Sequence, residues 1–380
     1  MGRCRAFPGE GEAGGARGGL GSAMIPKERV LTALARRQPD RVPIDYSANS
    51  GIDRRLKDHF GLEADDSEGL LRVLGVDFRI VAAAYKGPKL HPDVPERGIK
   101  ADAWGVHRRW VEHETGGYWD YCEWPLRQAS VQEVEAWAMP DPDDFDYSGI
   151  RQACERYQDY CVVCGGAGWP DVINACGMVR TMEQVLVDLI TDDEAGLRLV
   201  ERRNAILVEV ARRTLRAACG GVDLMCLGED LGTQRGPTIS LELFRKQIKP
   251  RIRQFVDVAD SFGIPTMIHS CGSSSWAFED LIGMGIAAVD TLQPEAKDMA
   301  PAYLKNKFGD RLAFHGCIST AGPLATGTVA DTVACCRDTL KVMMPGGGYC
   351  FAPTHLIQDN TPPENVVAAY EVAREAGGYR

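Results

Sequence analysis

The 380-residue sequence has no apolar run near the ~18 residues of a membrane-spanning helix. It has no run of lysine and arginine either. Acidic residues outnumber basic ones, 53 to 43, and the formal net charge is −10. A polyanionic partner is therefore not expected, neither nucleic acid nor an anionic membrane. No apolar core follows the N-terminal arginines, so the first residues do not read as a secretory signal. No Gly-x-Gly-x-x-Gly follows the first strand-like segment, which counts against a dinucleotide-binding sheet. The 13 cysteines form no framework, and Cys161-x-x-Cys164 is the lone CxxC. On a strand those two side chains point to opposite faces, so they read as packing rather than a metal knuckle. Free thiols and a cytoplasmic, reducing setting are expected.

Residues 1–23 are rich in glycine, carry Arg3, Arg5 and Arg17, and have almost no large apolar side chains. They are expected to form a disordered tail, with Met24 the more natural start. From 24 to 380 strand-like and helical patterns alternate. Val30, Leu31 and Leu34 share one helical face. Thr191-Asp192-Asp193-Glu194 reads as a capping box that opens a long helix, and Ser240 as the cap of the next. Thr328 with Asp331, and Thr361-Pro362-Pro363-Glu364, open two more. Eight strand-like segments lie near residues 43, 79, 162, 225, 267, 289, 313 and 350. The aromatic-rich stretch Trp104 to Trp124, with Gly116-Gly117 inside it, reads as a β-hairpin. The chain is thus expected to be α/β, a single (β/α)8 TIM-type barrel over 24–380 with a hairpin insertion near 104–124.

The chemistry gathers around Thr266-Met267-Ile268-His269-Ser270-Cys271-Gly272. Met267, His269 and Cys271 lie two apart, so on a strand they share a face. Gly272 frees the backbone to turn. An imidazole and a thiol at one strand exit can hold zinc. In a barrel the active site sits at the C-terminal strand ends. Those ends carry Asp45 and Tyr46, Glu229 and Asp230, His269 and Cys271, Gln293 and Glu295, His315 and Cys317, and Thr354 and His355. Catalytic zinc takes about three protein ligands. His355 is the first choice for the third, Cys317 the reserve, and Cys350 stands behind both.

Three stretches resemble a known family: Gly228-Glu229-Asp230-Leu231-Gly232-Thr233-Gln234, His269-Ser270-Cys271-Gly272, and Phe351-Ala352-Pro353-Thr354-His355 through Thr361-Pro362-Pro363-Glu364-Asn365. With Arg29-Val30-Leu31 and Pro39-Asp40-Arg41-Val42-Pro43, they are similar to the uroporphyrinogen decarboxylase superfamily, over roughly residues 24–378. That resemblance implies a (β/α)8 barrel, as the cadence does independently. True decarboxylases carry an Arg-Gln-Ala-Gly-Arg-Tyr motif that grips substrate carboxylates. Asp45-Tyr46-Ser47-Ala48-Asn49-Ser50 stands there instead, without arginine. The methylcobamide:thiol methyltransferases carry His-x-Cys and bind zinc with it. Their third ligand, a cysteine, corresponds to His355 here, which departs from that pattern and agrees with the decarboxylase one. The zinc-binding Glu of cobalamin-independent methionine synthase falls near Gln293, a second departure.

The resemblance implies zinc held by His269, Cys271 and His355. It points to methyl transfer between a methyl-corrinoid, or a methylated small molecule, and a thiol or related acceptor. Zinc would present the substrate as a thiolate. His355, Glu229 and Asp230 are the candidate catalytic residues. Asp45, Tyr46, Gln234, Gln293 and His315 are the candidate substrate contacts. The expected partners are a small-molecule substrate, a protein that carries the corrinoid, and a second copy of the chain in a homodimer. Two other readings remain: a carboxy-lyase of tetrapyrrole metabolism, with Asp45 and His355 as its acids, and a non-catalytic corrinoid- or tetrapyrrole-binding barrel.

Overall fold

The computed structural model describes residues 24–379, so the expected tail at 1–23 lies outside the described residues. Twelve strands follow in chain order: β1 (Phe78–Val81), β2 (Ala84–Tyr85), β3 (Ile99–Ala101), β4 (His107–His113), β5 (Gly116–Glu123), β6 (Phe145–Asp146), β7 (Cys161–Pro170), β8 (Leu224–Gly228), β9 (Thr266–Ser270), β10 (Ala288–Thr291), β11 (Ala313–Ile318) and β12 (Tyr349–Pro353). Seven of them form one sheet in the order β1-β7-β8-β9-β10-β11-β12. Every pairing in it is parallel. Helices cover such a sheet, so its strands read as near-continuous apolar runs. All of β11 and β12 is buried.

The eighth expected strand, near residue 43, is present as a short extended segment. The Phe351 N–H donates to Pro43 O at 2.8 Å, and the Asp45 N–H donates to Phe351 O at 2.9 Å. On its other side the Asp77 N–H donates to Ile44 O at 2.8 Å. The segment therefore joins β12 to the start of β1 and closes the circuit. Pro43 has no N–H to give to a longer ladder. Arg29 and Arg41 pin its base: their guanidinium groups reach the fully buried Asp77 carboxylate at 2.6 and 2.8 Å, and that carboxylate also accepts from the Ile44 N–H.

The long helix is Glu194–Ala218, and its cap is Asp193, whose carboxylate accepts from the Gly196 N–H. This corrects the expected capping box, because Thr191 ends the preceding helix and Asp192 turns left-handed between the two. Ser240 caps its helix, and Thr328 with Asp331 forms the expected box. Cys161 and Cys164 are both fully buried packing residues. Among the described residues eleven cysteines are free, whereas Cys219 is disulfide-bonded and departs from the expectation of free thiols. Among the described residues no helix is long and apolar enough to cross a membrane.

The hairpin forms as expected, β4 pairing antiparallel with β5, and β3 adds a third strand. Its turn falls at Glu114-Thr115, and Gly116 and Gly117 open β5. β5 packs against the helix Val172–Arg180, which begins at the end of β7 and so stands at the barrel mouth.

Candidate metal centre and cavity

His269 lies one residue from the end of β9, and Cys271 follows the strand. Gly272 then turns left-handed at φ 69°, where an added Cβ would stand 2.4 Å from the Gly232 carbonyl oxygen. That close approach brings the loops after β8 and β9 together. Asp230 Oδ1 accepts from the Cys271 N–H at 2.8 Å, and its Oδ2 accepts from Asn174 Nδ2 at 2.9 Å. One donor atom each from Asp230, His269 and Cys271 lies within 4.8 Å of the other two. An imidazole, a thiol and a carboxylate at such spacing suit zinc, which accepts all three donor types.

His269 is oriented from behind. Asp290 stands opposite it on β10, in register with both His269 on β9 and His315 on β11. Asp290 Oδ2 lies 2.7 Å from His269 Nδ1, and Oδ1 lies 2.6 Å from His315 Nδ1. His315 Nε2 continues to Asp45 Oδ2 at 3.1 Å. An ionised carboxylate only accepts, so both Nδ1 atoms carry protons toward Asp290. His269 Nε2 is then left facing Cys271 Sγ, 3.5 Å away.

The charges follow from burial and these contacts. Burial opposes ionisation of Asp290, but His315 and His269 hold its carboxyl below the usual carboxylate range. Burial also disfavours a charged His315, yet Asp290 and Asp45 push it up to about 10. His269 rises well above its ordinary value against burial, chiefly through Asp290. Burial, with help from Asp230, pushes the Cys271 thiol up, and His269 offsets part of this. A divalent cation would invert that last preference and favour the thiolate. His355 is depressed by burial and then by His269.

A cavity of about 590 Å³ opens above this group. Asp230, His269 and His355 line it, with Asp171 and Asn174 from the start of helix Val172–Arg180. Tyr121 and Trp124, at the end of the hairpin, complete its wall. His355 shares the cavity with His269, their ring centroids 6.4 Å apart, but it is outside the compact donor group. Among the described residues, Asp230 is the acid whose donor atom stands close to both His269 and Cys271.

The other expected residues fall elsewhere. Glu229 is 1 % exposed, and its two oxygens accept from the Val172 and Ile173 N–H groups at 2.7 and 3.1 Å. It caps that helix, and burial followed by Asp171 raises its carboxyl well above the usual range. Gln234 donates to Gln293, and the same Gln293 oxygen accepts from the Gly272 N–H, so this pair braces the turn after Cys271. Tyr46 donates its hydroxyl to Asp53. Asp45 and His315 meet within the barrel through the contact already described. Cys317 is buried inside β11 and does not line the cavity.

Asp290, Asp171, Asn174, Tyr121 and Trp124 are the site residues that sequence reasoning missed. Asp290 left a signal, a lone carboxylate within the apolar strand Ala288-Val289-Asp290-Thr291-Leu292. The others needed the fold.

A family model described as uroporphyrinogen decarboxylase (URO-D) matches residues 100–376. No curated protein matches the chain. Among solved structures, a methyltransferase from Methanosarcina mazei is similar, with a TM-score of 0.62 and 17% sequence identity. The match covers 93% of this chain and 99% of that one. At this identity it speaks for the fold, a TIM-type barrel, as the curled parallel sheet does. With a family model spanning most of its length, the chain belongs to the uroporphyrinogen decarboxylase family.

Proposed function

We propose that this barrel is a zinc-dependent methyltransferase, moving a methyl group between a methyl-corrinoid, or a methylated small molecule, and a thiol or related acceptor. The observation that carries the reading is the donor group Asp230, His269 and Cys271, of which Asp230 and His269 line a substrate-sized cavity. Zinc on these three residues would supply the Lewis acidity that keeps a substrate thiol deprotonated near neutral pH. The protein's own residues do the rest. Asp290 fixes the His269 ring and leaves Nε2 free as a donor. Asn174 and the Cys271 N–H hold the Asp230 carboxylate in place. His355, kept neutral by burial and by His269, offers an imidazole nitrogen that accepts the proton leaving the substrate. Tyr121 and Trp124 narrow the mouth and limit water. The corrinoid would ride on a separate protein that docks at this mouth.

Family membership also favours decarboxylation as a second reading. Against it, among the described residues no Lys or Arg lines the cavity, whereas a substrate with many carboxylates needs cationic partners.

The test is zinc content of the purified full-length chain. About one zinc per chain is expected, lost in His269→Ala and Cys271→Ala, weakened in Asp230→Ala, and retained in His355→Ala. A wild-type chain that takes up no zinc removes the methyl-transfer mechanism. Turnover of a porphyrinogen would then decide for the lyase.

A further inference from the structure

The cavity has an acid that its metal-capable floor does not use. Asp171 is only 9 % exposed and lines the cavity, and its Oδ1 is a buried atom with no hydrogen-bond partner among the described residues. It is held in the left-handed region at φ 47°, a conformation that few side chains adopt. Burial and then Asp230 raise its carboxyl to about 7, opposed by Arg203, His269 and Asn174, and no ion pair joins it to Arg203 among the described residues. Among the described residues no Lys or Arg lines the cavity.

The neighbouring acids are already committed. Both Asp230 oxygens accept hydrogen bonds, from Cys271 and from Asn174. Glu229 takes the first free N–H groups of helix Val172–Arg180. This matters for selectivity, because an uncapped helix N-terminus would attract an anion. Here that attraction is spent on a side chain of the protein itself.

Tyr121 and Trp124 complete the wall, their ring centroids 6.4 Å apart and their planes inclined by 70°. Inclined aromatic rings and a carboxylate that line one cavity can together stabilise an ammonium group, through the negative ring faces and a direct charge. An anion would meet the same ring faces and the same carboxylate with the wrong sign.

We propose that the small-molecule substrate of this cavity is a cation, an ammonium group held between the Asp171 carboxylate and the rings of Tyr121 and Trp124. The inference rests on the methyl-transfer reading only in taking the cavity as the substrate site.

Three probes of one shape and different charge test it: choline, 3,3-dimethylbutan-1-ol and 3,3-dimethylbutanoate. Each is titrated into the full-length protein by calorimetry, with zinc counted in the same samples. Choline is expected to bind about tenfold or more tighter than the neutral alcohol, with the carboxylate weakest. Asp171→Asn should erase that preference, and Asn tolerates the left-handed backbone at this position. Trp124→Ala, at a partly exposed position, should weaken choline by about 2–30-fold. If Asp171→Asn fails to fold, the charge series on the wild type and Trp124→Ala decide alone. An alcohol that binds as tightly as choline overturns the proposal. So does a tighter carboxylate, an Asp171→Asn protein that keeps the preference, or no choline binding at about 10 mM, weaker than an ordinary substrate. Zinc bound without ammonium preference would leave the methyl-transfer reading standing, and ammonium preference without zinc would do the reverse.

Discussion

His269 Nδ1 donates to Asp290 Oδ2 at 2.7 Å, and this single contact decides which face of the imidazole meets the cavity. A ring held in that way commits its Nδ1 proton to Asp290, so a metal ion entering the site would displace the Nε2 proton and take that nitrogen as its ligand. Carboxylates behind metal-binding histidines raise the basicity of the ligand as well as orienting it. Asp290→Asn is therefore expected to weaken zinc binding by about 10–100-fold. Competition against a chelator of known affinity measures this. Equal affinity in the variant would show that the ring is fixed by packing alone.

His355 is separated from the donor group but shares its cavity. If it accepts the substrate proton, His355→Asn lowers the rate of methyl transfer by about 10²–10⁴-fold while zinc content stays unchanged. The acid limb of the kcat/KM profile, set by a histidine held below its ordinary value, should also disappear. Loss of zinc in the same variant would instead assign His355 to the metal.

The Asp45–His315–Asp290 chain gives stability a pH dependence. His315 has its pKa raised in the folded state to about 10, above about 6.5 in the unfolded chain. A raised pKa means that the folded protein holds the proton more tightly. Its contribution is full below about pH 6.5 and is lost as pH rises through about 10. Urea midpoints of chelator-treated wild type should fall over that window more steeply than those of His315→Gln. Parallel curves for the two proteins would dismiss the linkage.

Glu229 is a structural cap in this fold. Glu229→Ala leaves the Val172 and Ile173 N–H groups buried without a partner. That costs about 2–4 kcal/mol of stability. Glu229→Gln keeps an acceptor and should cost less. Denaturant titration reads the difference. A Glu229→Ala protein of wild-type stability whose turnover has collapsed would return Glu229 to the catalytic residues.

What could be read from the chain alone was whatever depends on local spacing. The apolar runs at Phe78–Val81, Leu224–Gly228 and Thr266–Ser270 are strands, and their number and alternation with helices imply a barrel. Ser240 and the Thr328–Asp331 pair start helices because capping needs only three residues of sequence. His269 and Cys271 face one way because side chains on a strand alternate with a period of two.

Tertiary structure decided everything that depends on which residue stands opposite which. Asp290 is 21 residues from His269 and 25 from His315, yet it meets both, because the parallel register of β9, β10 and β11 puts the three side by side. Asp230 joins Cys271 across 41 residues because two glycines let their loops touch. Glu229, next to Asp230 in sequence, turns to the neighbouring helix, since adjacent residues leaving a strand point apart. Tyr121 and Trp124 reach the cavity because β5 packs on the helix after β7. Periodicity is a property of one segment, whereas register and loop contact belong to pairs of segments, and only the closed barrel supplies the pairs.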